Sequence, residues 1–173
     1  MSRNNNLQRS IHARMLTRAR LSMIARIVVA AVAAFIASSA WYMVFGVAVM
    51  KLRGVEPDAA SAMSVPASLM LAELARNLIV ATMLAHLAAA LKIIDLRGAA
   101  RLGFLLWFGF PAMILTGSVM WENVPWMLAA IHAGDWLIKL PLIAAILSIG
   151  LRRTESCATE QPATAALNQG RSQ

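Results

Sequence analysis

IVVAAVAAFIASSAWYMVFGVAVM, the run from Ile27 to Met50, holds no charged side chain, and its reading decides the fold. At about 1.5 Å per residue a helix of this length covers roughly 36 Å, enough to cross a hydrocarbon core of about 30 Å with some tilt. The run is built of Ala, Val, Ile and Met, with no alternation of apolar and polar residues, so a spanning helix is expected rather than a strand of a membrane barrel.

On the N-terminal side lies an arm with Arg3, Arg9, Arg14, Arg18, Arg20 and Arg26 and no acidic residue before Glu56. Leu7, Ile11 and Met15 fall on one side of a helix, so the arm can lie on an anionic leaflet, and anionic headgroups are its expected partner. Arg26 followed by Ala37-Ser38-Ser39-Ala40 also has the outline of a secretory signal and its cleavage site. The apolar run continues ten residues past Ala40, which favours a retained helix. The acid-free arm also has the composition of a mitochondrial presequence, which makes a mitochondrial inner membrane the alternative to a bacterial one, but a simple topogenic arm accounts for the same charges.

Beyond Met50, Lys51 to Ala67 is a polar connection containing Gly54, Pro57 and Pro66, where Pro57-Asp58 can begin a short interfacial turn. The second span is expected over 68–91 and carries Glu73, Arg76, Asn77 and His86. Lys92 to Arg101 reads as a basic loop closed by Gly98, and the third span follows over 102–120. Trp121 to Pro125 is a tight turn with indoles on both flanks, since Trp126 opens the fourth span, 126–151. That span holds His132, Asp135, Lys139 and Pro141. The polar stretch 152–173 is expected to be a disordered tail, leaving an arm (1–26), a four-helix transmembrane domain (27–151) and the tail. The expected fold class is thus all-α, an integral membrane four-helix bundle.

Orientation is read from Lys and Arg in the connections, because cytoplasmic segments hold the excess. The arm has six, the loop 92–101 three and the step Arg152-Arg153 two, against two in the first connection and none in the Trp121 to Pro125 turn. Both termini are expected in the cytoplasm. The whole chain supports a membrane setting: 60% of its 173 residues are hydrophobic and only 14% charged, a balance that a soluble domain of this size does not keep. The net charge of +8 is concentrated in these segments and needs no nucleic acid to explain it. The single Cys157 excludes an intrachain disulfide.

Trp41-Tyr42-Met43-Val44-Phe45-Gly46, followed by Lys51 and Gly54, resembles the signature of a bacterial family known as domain of unknown function 1761. The likeness covers roughly Ile27 to Arg152 and extends to the layout of spans. It implies a small four-span bacterial membrane protein, a third span rich in small residues and a fourth with a His and an Asp close together, here His132 and Asp135. The chain departs from the family pattern at Arg26-Ile27, where an Asn is usual, and at Val47-Ala48-Val49, where a Trp is usual. The family has no established activity, so the resemblance bears on fold and leaves function open.

A charge inside hydrocarbon costs about 2.5 to 3.5 kcal/mol on insertion scales, so each intramembrane charge asks for a partner. His132, Asp135 and Lys139 follow i, i+3, i+7 spacing and share a stripe; Glu73, Arg76 and Asn77 share another. Both helices enter from the same side, which sets the two groups at matching depths of roughly 8 to 15 Å. A charge-balanced polar cluster of Glu73, Arg76, Asn77, His132, Asp135 and Lys139 is therefore expected, facing inward between the second and fourth spans. It can serve as glue that fixes helix register, or as a site for a small solute, ion or proton. His86 belongs near the headgroups, and Tyr42 and Trp136 read as packing residues. Ala81, Ala85 and Ala89, and separately Gly109 and Gly117, read as close-packing seams. The chain has no nucleophile elbow, phosphate loop, dinucleotide fingerprint or metal-ligand spacing, so neither an enzyme nor a cofactor or metal is expected. The expected role is an interaction or structural component, with an oligomeric permease or proton-coupled carrier as the alternative. A second copy or another membrane protein is the expected partner.

Overall fold

The computed structural model describes residues 2–55 and 65–169, all helix and connection, with no strand among them. Helix α1 spans Ser2–Leu52, α2 Ala67–Ala90, α3 Leu96–Trp107, α4 Met113–Trp121 and α5 Trp126–Gln169; a π turn, Phe108–Ala112, joins α3 to α4 into one rod. Four segments of these helices are long and apolar enough to cross a membrane: Arg20–Leu52, Ala67–Ala90, Leu96–Trp121 and Trp126–Ile149. Pro57-Asp58, read as the start of an interfacial turn, lies outside the described residues.

The structure departs from the sequence expectation in four places. The third helix begins at Leu96, because Asp95 caps it by accepting the Gly98 amide at 2.8 Å, so Gly98, Arg97 and Arg101 sit inside a helix rather than in a loop. The rod then widens where Pro111 has no amide hydrogen and its ring would strike the carbonyl one turn back; a π turn absorbs the misfit. The stretch read as a disordered tail continues α5 as far as Gln169, where Ala158, Ala163, Ala165 and Ala166 favour propagation of a helix already nucleated. The arm likewise runs unbroken into α1.

Helix α5 is the hub: it packs along α1 on one side and α3 on the other, while α2 leans chiefly on α1. On α1 the buried face is Ile27, Ala30, Ala31, Ala34, Ser38 and Val49, a stripe at helical spacing whose small side chains admit a neighbour closely. Two apolar layers result. The larger joins Ala30, Ala34, Ala81, Leu84, Leu140 and Ile143; the smaller joins Val49, Leu128 and Ile131 beneath Trp41, Tyr42 and Phe45. Between them, at Ser38 on α1 and Asp135 to Lys139 on α5, lies a polar layer.

The outward surface of the spans is mostly apolar, with Leu71, Ile79, Phe104, Phe108, Phe110 and Ile114 all exposed, which suits acyl chains and not water. Ala81 and Ala85 are buried in a seam as expected, whereas Ala89 is exposed and Ala88 takes its place. Gly109 and Gly117 face open space, so they form no seam within the chain. The close approaches are made instead at Gly103, where a Cβ would stand 2.7 Å from the Pro141 backbone, and at Gly134, where it would stand 2.6 Å from the Trp41 ring. Gly103→Val is expected to destabilise the protein by about 1 to 3 kcal/mol, since backbone atoms cannot yield as a side-chain tip can. Gly109→Ala is expected to be neutral, and thermal unfolding of both variants in detergent checks the contrast.

Candidate functional site

The polar layer is a ladder of alternating charge carried by three helices. Positions 135 and 139 are one turn apart on α5, so Lys139 Nζ meets Asp135 Oδ2 at 3.0 Å without leaving its own helix. The same ammonium reaches across to α2 and meets Glu73 Oε1 at 3.0 Å. Glu73 Oε2 in turn accepts from Arg76 Nη2 at 2.7 Å, again within one helical turn. At the far end the Ser38 hydroxyl of α1 donates to Asp135 Oδ1 at 2.6 Å. The order from surface to interior is Arg76, Glu73, Lys139, Asp135, Ser38, and the four charges sum to zero.

Burial grades along the ladder. The Lys139 and Asp135 side chains are 1% and 3% exposed, Glu73 27% and Arg76 50%. The expectation that all these groups face inward is therefore corrected for Arg76, whose long stem brings its head out to the bundle surface. Trp136, one residue on from Asp135, lies against the ladder: the Lys139 ammonium stands 4.9 Å and the Arg76 guanidinium 5.3 Å from the ring centroid. It supplies the negative face of a ring to both cations, a role beyond packing.

Asn77 is fully buried beside Glu73, to which its amide donates over a long 3.4 Å. Its Oδ1 is buried with no hydrogen-bond partner, a costly arrangement for a polar atom. His132 is not a rung. It turns to the first span, where its Nδ1 and the Tyr42 hydroxyl are 2.6 Å apart. His86 is exposed and bonds the Thr82 carbonyl of its own helix. Among the described residues no group of three His, Cys, Asp or Glu is placed to hold a metal ion.

The aromatic motif of the first span positions this layer. Trp41 donates through Nε1 to the Ile131 carbonyl at 3.0 Å, packs at a tilt of 40° against Phe45 with ring centroids 4.5 Å apart, and fits the space left by Gly134. Tyr42 holds His132, whereas Gly46 has nothing against it. From the other flank Trp107 donates to the Ala133 carbonyl at 2.8 Å. Two indoles thus clamp the turn of α5 that presents His132 and Asp135.

Sequence reasoning missed Ser38 and the Tyr42 pair. The signal was present in the spacing 27, 30, 31, 34, 38, 41, 42, 45, 49, a single helical face that changes from small residues to polar to aromatic.

Lys139→Met leaves Asp135 buried without its cation and is expected to cost about 3 to 5 kcal/mol. Adding Asp135→Asn to it is expected to recover part of that loss, a positive coupling measurable by a double-mutant cycle on unfolding in mixed micelles. Additive losses would show that the two groups do not act as a pair.

A family model described as protein of unknown function (DUF1761) matches residues 25–148. No curated protein and no solved structure matches the chain. The matched stretch takes in the aromatic motif of the first span, every rung of the ladder and both clamping indoles. With most of its length covered in this way, the chain, whose four apolar helices are those of a multi-pass membrane protein, belongs to the DUF1761 family of proteins of unknown function.

Proposed function

We propose that this protein is a non-catalytic component of a bacterial inner membrane, with four spans and both termini in the cytoplasm, whose role is structural or is to join other membrane proteins or copies of itself. The carrying observation is that the intramembrane charges consume one another: Lys139 is held by two carboxylates and Asp135 by an ammonium and a hydroxyl. A set of this kind, closed except at its exposed Arg76 end, fixes the register of three helices and has no free nucleophile or acid–base pair among the described residues. The distribution of Lys and Arg supports the orientation. Anionic headgroups remain the partner proposed for the arm, nucleic acid is not proposed, and a mitochondrial inner membrane is the alternative location.

A small oligomeric permease or proton-coupled carrier is the second reading, favoured by the unpaired acceptor of Asn77 beside ionisable groups on two spans. Four helices enclose no path alone, so this reading requires assembly.

Asp135→Asn separates the two readings. A structural role predicts a lower yield of folded or assembled protein by gel filtration, and nothing gained or lost in flux. Normal yield with abolished pH-dependent flux in proteoliposomes, repeated for Glu73→Gln, would instead establish the carrier. Reporter fusions at residues 26, 95, 122 and 152 are expected to place 26, 95 and 152 in the cytoplasm and 122 outside.

A further inference from the structure

Helix α2 leans on α1 and the third span leans on α5, which leaves a channel-like gap between α2 and the third span. The gap is an apolar groove of about 450 Å³. Ile79 and Met83 form one wall, Leu106 and Pro111 the other, and Trp136 and Leu140 of α5 the floor. The π turn at Pro111 lies in the second wall.

At one end of the floor the groove meets the ladder. The same Trp136 ring that lines the groove carries the Arg76 guanidinium 5.3 Å from its centroid. Arg76 is the exposed terminus of the alternating charges, half open to the surroundings, and only its Nη2 is engaged, by Glu73. A guanidinium has five N–H donors, so Nε and Nη1 remain free to donate. Helical side chains lean toward the N-terminus of their helix, so Arg76 reaches away from the groove and toward the start of α2 at Ala67, the near membrane surface. A half-exposed cation with free donors at hydrocarbon depth is stabilised by an anion more than by any neutral group.

We propose that this groove binds one anionic phospholipid, with an acyl chain lying along Ile79, Met83 and Pro111 and a phosphate oxygen accepting from Arg76. The occupant follows from the two halves of the site taken together. An acyl chain matches an open, wholly apolar trough continuous with the bilayer; a phosphate matches the donors at its upper end. A second copy or a foreign helix would fill the trough and leave the donors unmet. The site is separate from the arm, whose basic residues lie on α1 before Ile27.

The test is native mass spectrometry of the full-length chain released from nanodiscs of equal phosphatidylglycerol and phosphatidylcholine. Both lipids carry the phosphate, but the choline ammonium cancels the net charge that Arg76 meets, so the wild-type protein is expected to retain one phosphatidylglycerol over phosphatidylcholine by about tenfold. The paired change Arg76→Gln with Glu73→Gln keeps the ladder neutral and is expected to abolish the preference while leaving a bound lipid of either kind. Leu115→Trp, placed in the groove wall, is expected to remove the retained lipid altogether with Arg76 intact. Arg101→Gln, an exposed cation of α3 outside both the arm and the groove lining, is expected to change neither. Equal retention of the two lipids by the wild type, a preference that survives loss of Arg76, loss of the preference on Arg101→Gln, or a dimer that disappears with Leu115→Trp would overturn the proposal.

Discussion

The ammonium of Lys139 is fully enclosed by protein at the level of the bilayer interior, and the rest of the bundle is arranged around the need to neutralise it. No single carboxylate does so. Asp135 is the partner within α5, Glu73 the partner across the gap to α2, and each carboxylate is held in place by a further donor, Ser38 or Arg76. The ion pairs themselves have little net stabilising value once desolvation is counted, but a mismatched register would bury an unpaired charge. They act on specificity: of the ways four greasy helices can slide past one another, few bring these oxygens to this nitrogen.

Small residues make that meeting possible. Ala30 and Ala34 on α1 and Ala144 on α5 bring two helices close enough for a serine side chain, one of the shortest polar groups, to reach Asp135. Gly134 makes room for Trp41, whose indole then bonds the backbone of the same helix. Packing and polarity therefore specify the same arrangement, which is the consistency expected of a sequence that selects one fold.

Much of this is legible in the sequence. Uncharged runs of the right length identify spans directly, because the bilayer imposes a single length scale. The i, i+3 and i, i+4 spacing of Glu73, Arg76, Asp135 and Lys139 placed the charges on two facing stripes, and the structure joins those stripes through Lys139. What was not legible depends on rotation and on contacts between distant segments. Nothing in the local sequence says that His132 turns to Tyr42 rather than to Glu73, or that Arg76 ends at the surface. Gly109 and Gly117 have the spacing of a seam but sit on the outward side of a rod whose phase is shifted by the π turn at Pro111. Gly103, with no such repeat, makes the close contact because Pro141 happens to lie opposite.

The pairing of opposite charges within single helices bears on how the chain enters its membrane. Asp135 and Lys139 are neighbours on α5, and Glu73 and Arg76 are neighbours on α2, so each segment can leave the insertion machinery as a zwitterion with its charges already matched. The inter-helix bond from Lys139 to Glu73 is then a later event, formed by lateral association of helices that are each stable in lipid. Biogenesis thus divides into threading, which local pairs make affordable, and docking, which the shared ammonium completes.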